Sequence, residues 1–352
     1  VVRAGDTPHG RALLLANFLC FASFPAAAVL FSAIGRLAGA RFTVPLRPLA
    51  ESAIGSVLLA PIAAALFGLE GGFTLIPVRP DLGGWLAPAA VSARTTLGLA
   101  LLAGAGVAYV RASMRADAGG VSGPGGVSGP GGVSGPAVKA SARATRLAGL
   151  YAATYLAVQT VLAFDLVMAL FPHFRSALLG AHLAMTSFAA GVAGIVVLAR
   201  LGAGGPLAAR PAPPGGRSPG VGPASIARGA SAGELRVADL GAFLSVTVLL
   251  GSYLALAQFL PIWYGNLREE TAPLMLLRAG SPWQRTAVAA FLLGGLGPLA
   301  LLIVGRGFLP RRLKGLTALA LVALLVVIGV WLERVLLVVG ALVPGGPEPL
   351  RA

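Results

Sequence analysis

Asp165 is the residue whose surroundings most demand a chemical explanation, because it stands inside an otherwise apolar run. An ionisable group in lipid is costly, so it usually faces a protein interior or a water path. At 100° per residue, Tyr151, Thr154, Tyr155, Gln159 and Asp165 fall within roughly 140° of one helix face. Such a stripe can carry a hydrogen-bonded proton path, line a headgroup pocket, or hold neighbouring helices together. Arg94 lies inside another apolar run, where it either meets a carboxylate such as Asp165 or snorkels to the interface. Glu51, at the mouth of a third run, either collects protons or pairs with Arg47.

The densest group of chemically able side chains is Gln258-Phe-Leu-Pro-Ile-Trp-Tyr-Gly-Asn-Leu-Arg-Glu-Glu-Thr271. It gathers Gln258, Trp263, Tyr264, Asn266, Glu269 and Glu270 at the end of one apolar run. Adjacent carboxylates repel, which raises the pKa of one of them and favours proton exchange. A surface turn with an aromatic anchor carries the same pattern. Just upstream, Thr247 and Gln258 share one helix face, and Ser245 and Ser252 another.

These side chains must be positioned by apolar elements. The 352 residues are 57% hydrophobic and 11% charged, against roughly a quarter charged in soluble domains. Uncharged apolar runs of about 18 or more residues read as membrane spans. Eight are expected, at 12–35, 52–69, 87–110, 147–171, 177–199, 239–262, 287–305 and 313–340. Each is apolar all round, as befits helices in lipid. Pro25, Pro61 and Pro298 mark expected kinks. The fold class is therefore all-α, a polytopic transmembrane helical protein. The first run is too long for a signal-peptide core and is expected to be retained.

The net charge of +15 is spread over connecting loops rather than clustered with aromatics on one face. That distribution argues against nucleic acid and for topology. The loops after spans one, three, five and seven hold 17 of the 27 Lys and Arg residues. The positive-inside rule puts those loops in the cytoplasm and both ends of this chain in the periplasm. Trp85, Trp263, Trp283 and Trp331 then fall toward the opposite interface. Two connectors, 117–141 and 202–235, are expected to be flexible cytoplasmic linkers. The first contains three copies of Gly-Gly-Val-Ser-Gly-Pro, which offers nothing bulky to pack.

Cys20 is the sole cysteine, so no disulfide, iron–sulfur or c-type haem motif can form within the chain. The histidines are His9, His173 and His182. His173 and His182 would point to opposite sides of a helix, which is unsuited to a transmembrane haem. No metal site is expected. Any redox role depends on cofactors held elsewhere.

Four ordered segments resemble one family. Residues 258–271 resemble the signature turn of the second quinone-binding membrane subunit of alternative complex III, a bacterial quinol:cytochrome c oxidoreductase. Ala38-Gly-Ala-Arg-Phe-Thr-Val-Pro-Leu-Arg-Pro-Leu-Ala-Glu51 resembles its first cytoplasmic loop. Phe164-Asp-Leu-Val-Met-Ala-Leu-Phe-Pro-His-Phe-Arg175 resembles its Asp-Trp-x-Met-Ser-Leu-x-Pro-His-Trp segment. Glu333-Arg-Val-Leu-Leu-Val-Val-Gly-Ala-Leu-Val343 resembles the end of its penultimate helix. The chain departs from the family at Phe42, Leu166 and Phe174, where Trp is usual, and at Arg268, where Pro is usual.

The family is related to the polysulfide-reductase membrane anchor, so the resemblance implies two four-helix bundles, 11–171 and 172–343, in one membrane domain. Family members usually add a helix before and after this core, so the chain is expected to be a shortened form. The resemblance further implies a subunit of a respiratory complex in the bacterial inner membrane. Electrons from quinol would pass to haem and iron–sulfur groups on partner subunits. This chain would contribute scaffold, a quinone pocket and proton transfer. Asp165 and His173 are the implied proton-transfer residues. Gln258, Trp263, Tyr264, Asn266, Glu269 and Glu270 form the implied quinone or outer polar site. A purely structural subunit without quinone is the alternative. A stand-alone transporter is a third reading, though paired broken helices in two related halves are not evident.

Overall fold

The computed structural model describes residues 7–77, 84–118, 135–171, 174–202, 223–265, 271, 276, 281–303 and 315–342, with backbone alone over 135–138 and 223–236. Among the described residues there is no strand, and eight helices are long and apolar enough to cross a membrane. The chain is a multi-pass integral membrane protein. Its spans are α1 (Pro8–Leu37), α2 (Ile54–Leu69), α3 (Pro88–Ala118), α4 (Gly135–Leu166), α5 (Leu178–Gly202), α6 (Pro223–Gly265), α7 (Gln284–Ile303) and α8 (Leu316–Leu342). The odd-numbered spans begin, and the even-numbered spans end, at what is called here the starting face.

All eight expected spans are present, and several run longer than expected because polar ends continue the helix beyond the apolar run. Helical backbone starts at Gly135 and Pro223, inside the two segments expected to be irregular. The repeat over 119–134 and the stretch 203–222 lie outside the described residues.

Local chemistry sets the ends and bends. Thr7 caps α1 by accepting the Gly10 N–H at 3.0 Å, with Pro8 in the first turn. At the other end Gly39 turns left-handed (φ 63°), Gly39 N–H reaches the Arg36 carbonyl, and Ala40 N–H reaches that of Gly35. This glycine closure reverses the chain into a 3₁₀ turn (Arg41–Leu46) and a short helix (Arg47–Ser52), which form a collar before α2. In α7 the turn Leu292–Leu296 widens to a π-helix just ahead of Pro298. Proline supplies no N–H to the preceding turn, and a wider turn accommodates that gap.

The first four spans pack on one another, as do the last four, and α1 and α5 share the seam. One continuous apolar core joins all eight spans. The outside is equally apolar. Leu58, Leu59, Ile62 and Leu66 of α2 are all about half exposed, which suits lipid and would be ruinous in water. Helices in lipid gain little from apolar burial, so close fit matters more. Among the described glycines the tightest approach to another backbone joins α7 and α8: a Cβ on Gly329 would lie 2.0 Å from the Gly294 backbone nitrogen. We therefore expect Gly329→Val to push the two helices apart and destabilise the fold by about 1–3 kcal/mol. Unfolding in mixed detergent–SDS micelles would measure this.

Candidate functional site

Asp165, near the end of α4, is buried, and its Oδ2 accepts from Arg94 Nε at 2.9 Å. Arg94 does not snorkel away. Its guanidinium lies 4.1 Å from the Trp85 ring centroid, between a buried carboxylate and an aromatic face. The two partners differ in exposure, with side chains 24% exposed for Arg94 and 3% for Asp165. Loss of Arg94 strands a buried anion, whereas loss of the Asp165 charge leaves a cation still stacked on Trp85. We expect Arg94→Leu to cost about 3 kcal/mol and Asp165→Asn about 1 kcal/mol. The double variant Arg94→Leu/Asp165→Leu should recover most of the difference, read again by SDS titration.

The rest of the α4 stripe is committed to packing. Tyr151 OH donates to the Ala26 carbonyl at 2.8 Å, and Tyr155 OH to that of Ala184 at 3.0 Å. Gln159 accepts from Ser23 Oγ at 3.0 Å, and Thr154 bonds back to Leu150 in its own helix. Of the readings left open by the sequence, interhelical attachment is the one these contacts describe: α4 is tied to α1, α3 and α5.

At the opposite face, Glu51 does not take Arg47 as a hydrogen-bonding partner. Its Oε1 accepts from Ser32 at 2.7 Å and Ser113 at 2.6 Å. Ser32 also meets the Tyr109 hydroxyl at 2.8 Å. Arg36, fully buried, donates to Ser113 and Asp117, and Arg47 Nη1 stands 3.7 Å from the same Asp117. Two guanidiniums and two carboxylates thus fasten the collar to α1 and α3.

A third ionic group lies in the last four spans. Arg334 of α8 donates through Nη1 to Glu333 Oε2 at 2.9 Å. Its Nη2 faces the Leu183 carbonyl, Thr186 Oγ1 and Ser187 Oγ at 3.1, 2.7 and 3.1 Å. The other Glu333 oxygen, Oε1, is bonded to His182 Nε2. His182 is 6% exposed, and its Nδ1 has no hydrogen-bond partner among the described residues.

That pair borders a cavity of about 560 Å³ enclosed by α5, α6, α7 and α8, within the roughly 300–1,000 Å³ usual for small-ligand sites. Its walls are mostly apolar, with Phe171, Phe174 and Phe259 among them. The few polar side chains on it include His182, Thr186, Ser252, Gln258 and Glu333. Leu256, Phe291 and Leu292 line the cavity and are also about half exposed on the outside of the bundle. The cavity therefore reaches the lipid-facing surface between α6 and α7, a route open to a lipid-soluble ligand. Among the described residues no group of three or more His, Cys, Asp or Glu side chains could hold a metal ion.

Of the residues singled out in the sequence, Gln258 reaches this cavity, and its Oε1 accepts from Ser176 at 3.1 Å. Trp263 and Tyr264 are exposed at the end of α6, Tyr264 by 89%, and do not line it. Asp165 belongs to the separate Arg94 pair. His173, Asn266, Glu269 and Glu270 lie outside the described residues. Ser252 and Gln258, assigned to different faces of α6, both border the cavity, while Thr247 bonds back to the Leu244 carbonyl. Trp331 sits deeper than an interfacial position, its indole N–H donating to Asn17 Oδ1 at 2.9 Å.

His182 and Glu333 escaped the sequence reading. In the sequence His182 stands out only as a possible haem ligand, and Glu333–Arg334 only within a segment that resembles a family. The available signal was two adjacent ionisable residues inside a long apolar run, the same cost argument that singled out Asp165.

No protein-family model matches the chain, and no curated protein sequence matches it.

Proposed function

We propose that this chain is a membrane subunit of a quinol:cytochrome c oxidoreductase of the alternative complex III type, and that its α5–α8 cavity receives the quinol. The observation carrying this reading is the apolar cavity reached from lipid with a buried His182–Glu333 pair on its wall. A quinol needs that combination: an apolar volume for ring and tail, and a few polar atoms to orient the ring oxygens. The four ordered sequence segments described above support the same family.

In this reading the chain lies in a bacterial inner membrane with both its ends in the periplasm. Electrons leave for iron–sulfur and haem groups on partner subunits. The chain's own residues bind and orient the ring. Asp165, His173, Glu269 and Glu270 are the groups that would pass protons toward the periplasm, with Asp165 restrained by Arg94.

Purification of the tagged chain from native membranes in mild detergent tests the assignment. The expected result is copurification with multihaem and iron–sulfur subunits, visible by absorbance, and extractable quinone. Recovery of the chain without such partners would overturn it. An assembled complex lacking quinone would instead assign the chain a structural role.

A further inference from the structure

A basic flank on the α3–α4 hairpin stands without an anion. Arg111 and Arg115 of α3 and Lys139 and Arg143 of α4 are exposed, and among the described residues none of them meets a carboxylate. We propose that this flank, on the face opposite the starting face, binds the headgroup of an anionic phospholipid whose chains lie against the same two helices. The proposal is independent of the quinol reading.

Helix geometry brings the four cations together. Ala112 and Ala116 pack on Ala144, with Ala140 and Leu147 beside them, so small side chains form the α3–α4 seam. On α3, Ser113 is directed at α1, where Arg36 donates to it. A step of 100° from Ser113 reaches Ala112 at the seam, and a second step the same way reaches Arg111 on its outer side. Arg115 lies one turn further along that edge. On α4, Tyr151 is directed at α1, and Ala140 and Leu147 at α3. Arg143 and Lys139 lie beyond them in the same sense, again on the outer side. The Tyr109–Tyr151 stack, with ring centroids 6.1 Å apart, sets a common level. Arg115 is about 9 Å and Arg143 about 12 Å past that stack, so they stand across the seam from each other.

The chain supplies no counter-ion nearby. Asp117 is the one carboxylate between residues 95 and 164, and it is held by Arg36 with Arg47 beside it. Topology asks only for a surplus of cations in a loop; it does not ask them to share one flank of a helix pair. Below the cations that flank is apolar and open. Gly104, Ala108 and Ala157 are exposed there, and nothing stands within 4 Å of where a Gly104 side chain would begin. Leu101 and Leu150 border it, at 59% and 54% exposure. Small side chains beneath a cationic rim suit a lipid better than an acidic protein segment. Acyl chains fill the shallow flank, while a phosphodiester accepts from the guanidiniums.

Lipid binding to the purified chain, together with any subunits that copurify, tests this. Dioleoyl phosphatidylglycerol and dioleoyl phosphatidylcholine would be titrated in detergent and the bound lipids counted by native mass spectrometry. The expected result is an affinity for phosphatidylglycerol about tenfold higher. Arg115→Gln/Arg143→Gln should cut that preference below about threefold. Arg175→Gln/Arg285→Gln removes as many cations at the starting face and should leave it unchanged. Equal affinity for the two lipids in unaltered protein would overturn the proposal and leave the flank to an acidic protein partner. Equal loss in both double variants would overturn it as well, since the attraction would then belong to the whole basic protein. Displacement of phosphatidylglycerol by millimolar inorganic phosphate would mean that the chains contribute nothing, contradicting a lipid site. The comparison of lipids needs no substitution, so it stands even where a variant fails to fold.

Discussion

Arg334→Ala is expected to lose about 3–5 kcal/mol of stability. The guanidinium is 1% exposed and meets one carboxylate, one carbonyl and two hydroxyls. Removal leaves the buried Glu333 with His182 as its one remaining side-chain partner among the described residues, in a span where water cannot compensate. Three further acceptors on α5 lose their donor. The same deletion opens a void between α5 and α8, which pack closely along the second half of the fold. Arg334→Met fills much of the void yet supplies no donors, so it separates the two contributions. It should recover part of the loss and no more. The measurement is the SDS midpoint of unfolding in mixed micelles. A shift under about 0.5 kcal/mol, the range of ordinary surface changes, would contradict the role given to Arg334.

Ala255→Trp is expected to weaken quinol binding about 100-fold, equivalent to about 2.7 kcal/mol, while the protein still folds. Ala255 lines the cavity on α6, between Ser252 and Gln258, and is only partly buried. An indole there occupies volume now open to a ligand instead of displacing packed side chains. Overpacking therefore costs little, and the loss falls on binding. Equilibrium binding of decylubiquinol to the variant complex reads the effect. Unchanged affinity would mean that the ligand lies elsewhere.

The elements were legible in the sequence because length and composition decide them. A run such as 316–342 has nothing to do in water, and lipid requires it to be helical. Element ends were less legible. Polar residues at 135–141 and 223–235 do not signal a helix by hydropathy, although their backbone is helical. The pairing of Arg94 with Asp165 was one of two open readings, since snorkelling and pairing need the same placement along the helix. Contact across 71 positions of sequence is what settles it.

The cavity was not legible. It is a property of four helices at once, and only Gln258 pointed toward it. The turn carrying Trp263 and Tyr264 drew attention through its density of polar and aromatic types, yet both rings face outward. Two adjacent glycine-bearing segments, 294–295 in α7 and 329 in α8, help explain why space exists there. Close backbone contact at Gly294 and Gly329 fixes the far wall, and the π-turn redirects α7 beside it. Neither feature has a hydropathy signature.

Photolabelling tests the central claim most directly. An azido-quinone bound to the complex in native membranes, irradiated and mapped by peptide sequencing, should mark the stretches 248–262 and 287–295 of this chain, with decylubiquinol competing the label away. Label confined to partner subunits, or label on this chain that excess quinol does not displace, would contradict a quinol site between α5, α6, α7 and α8.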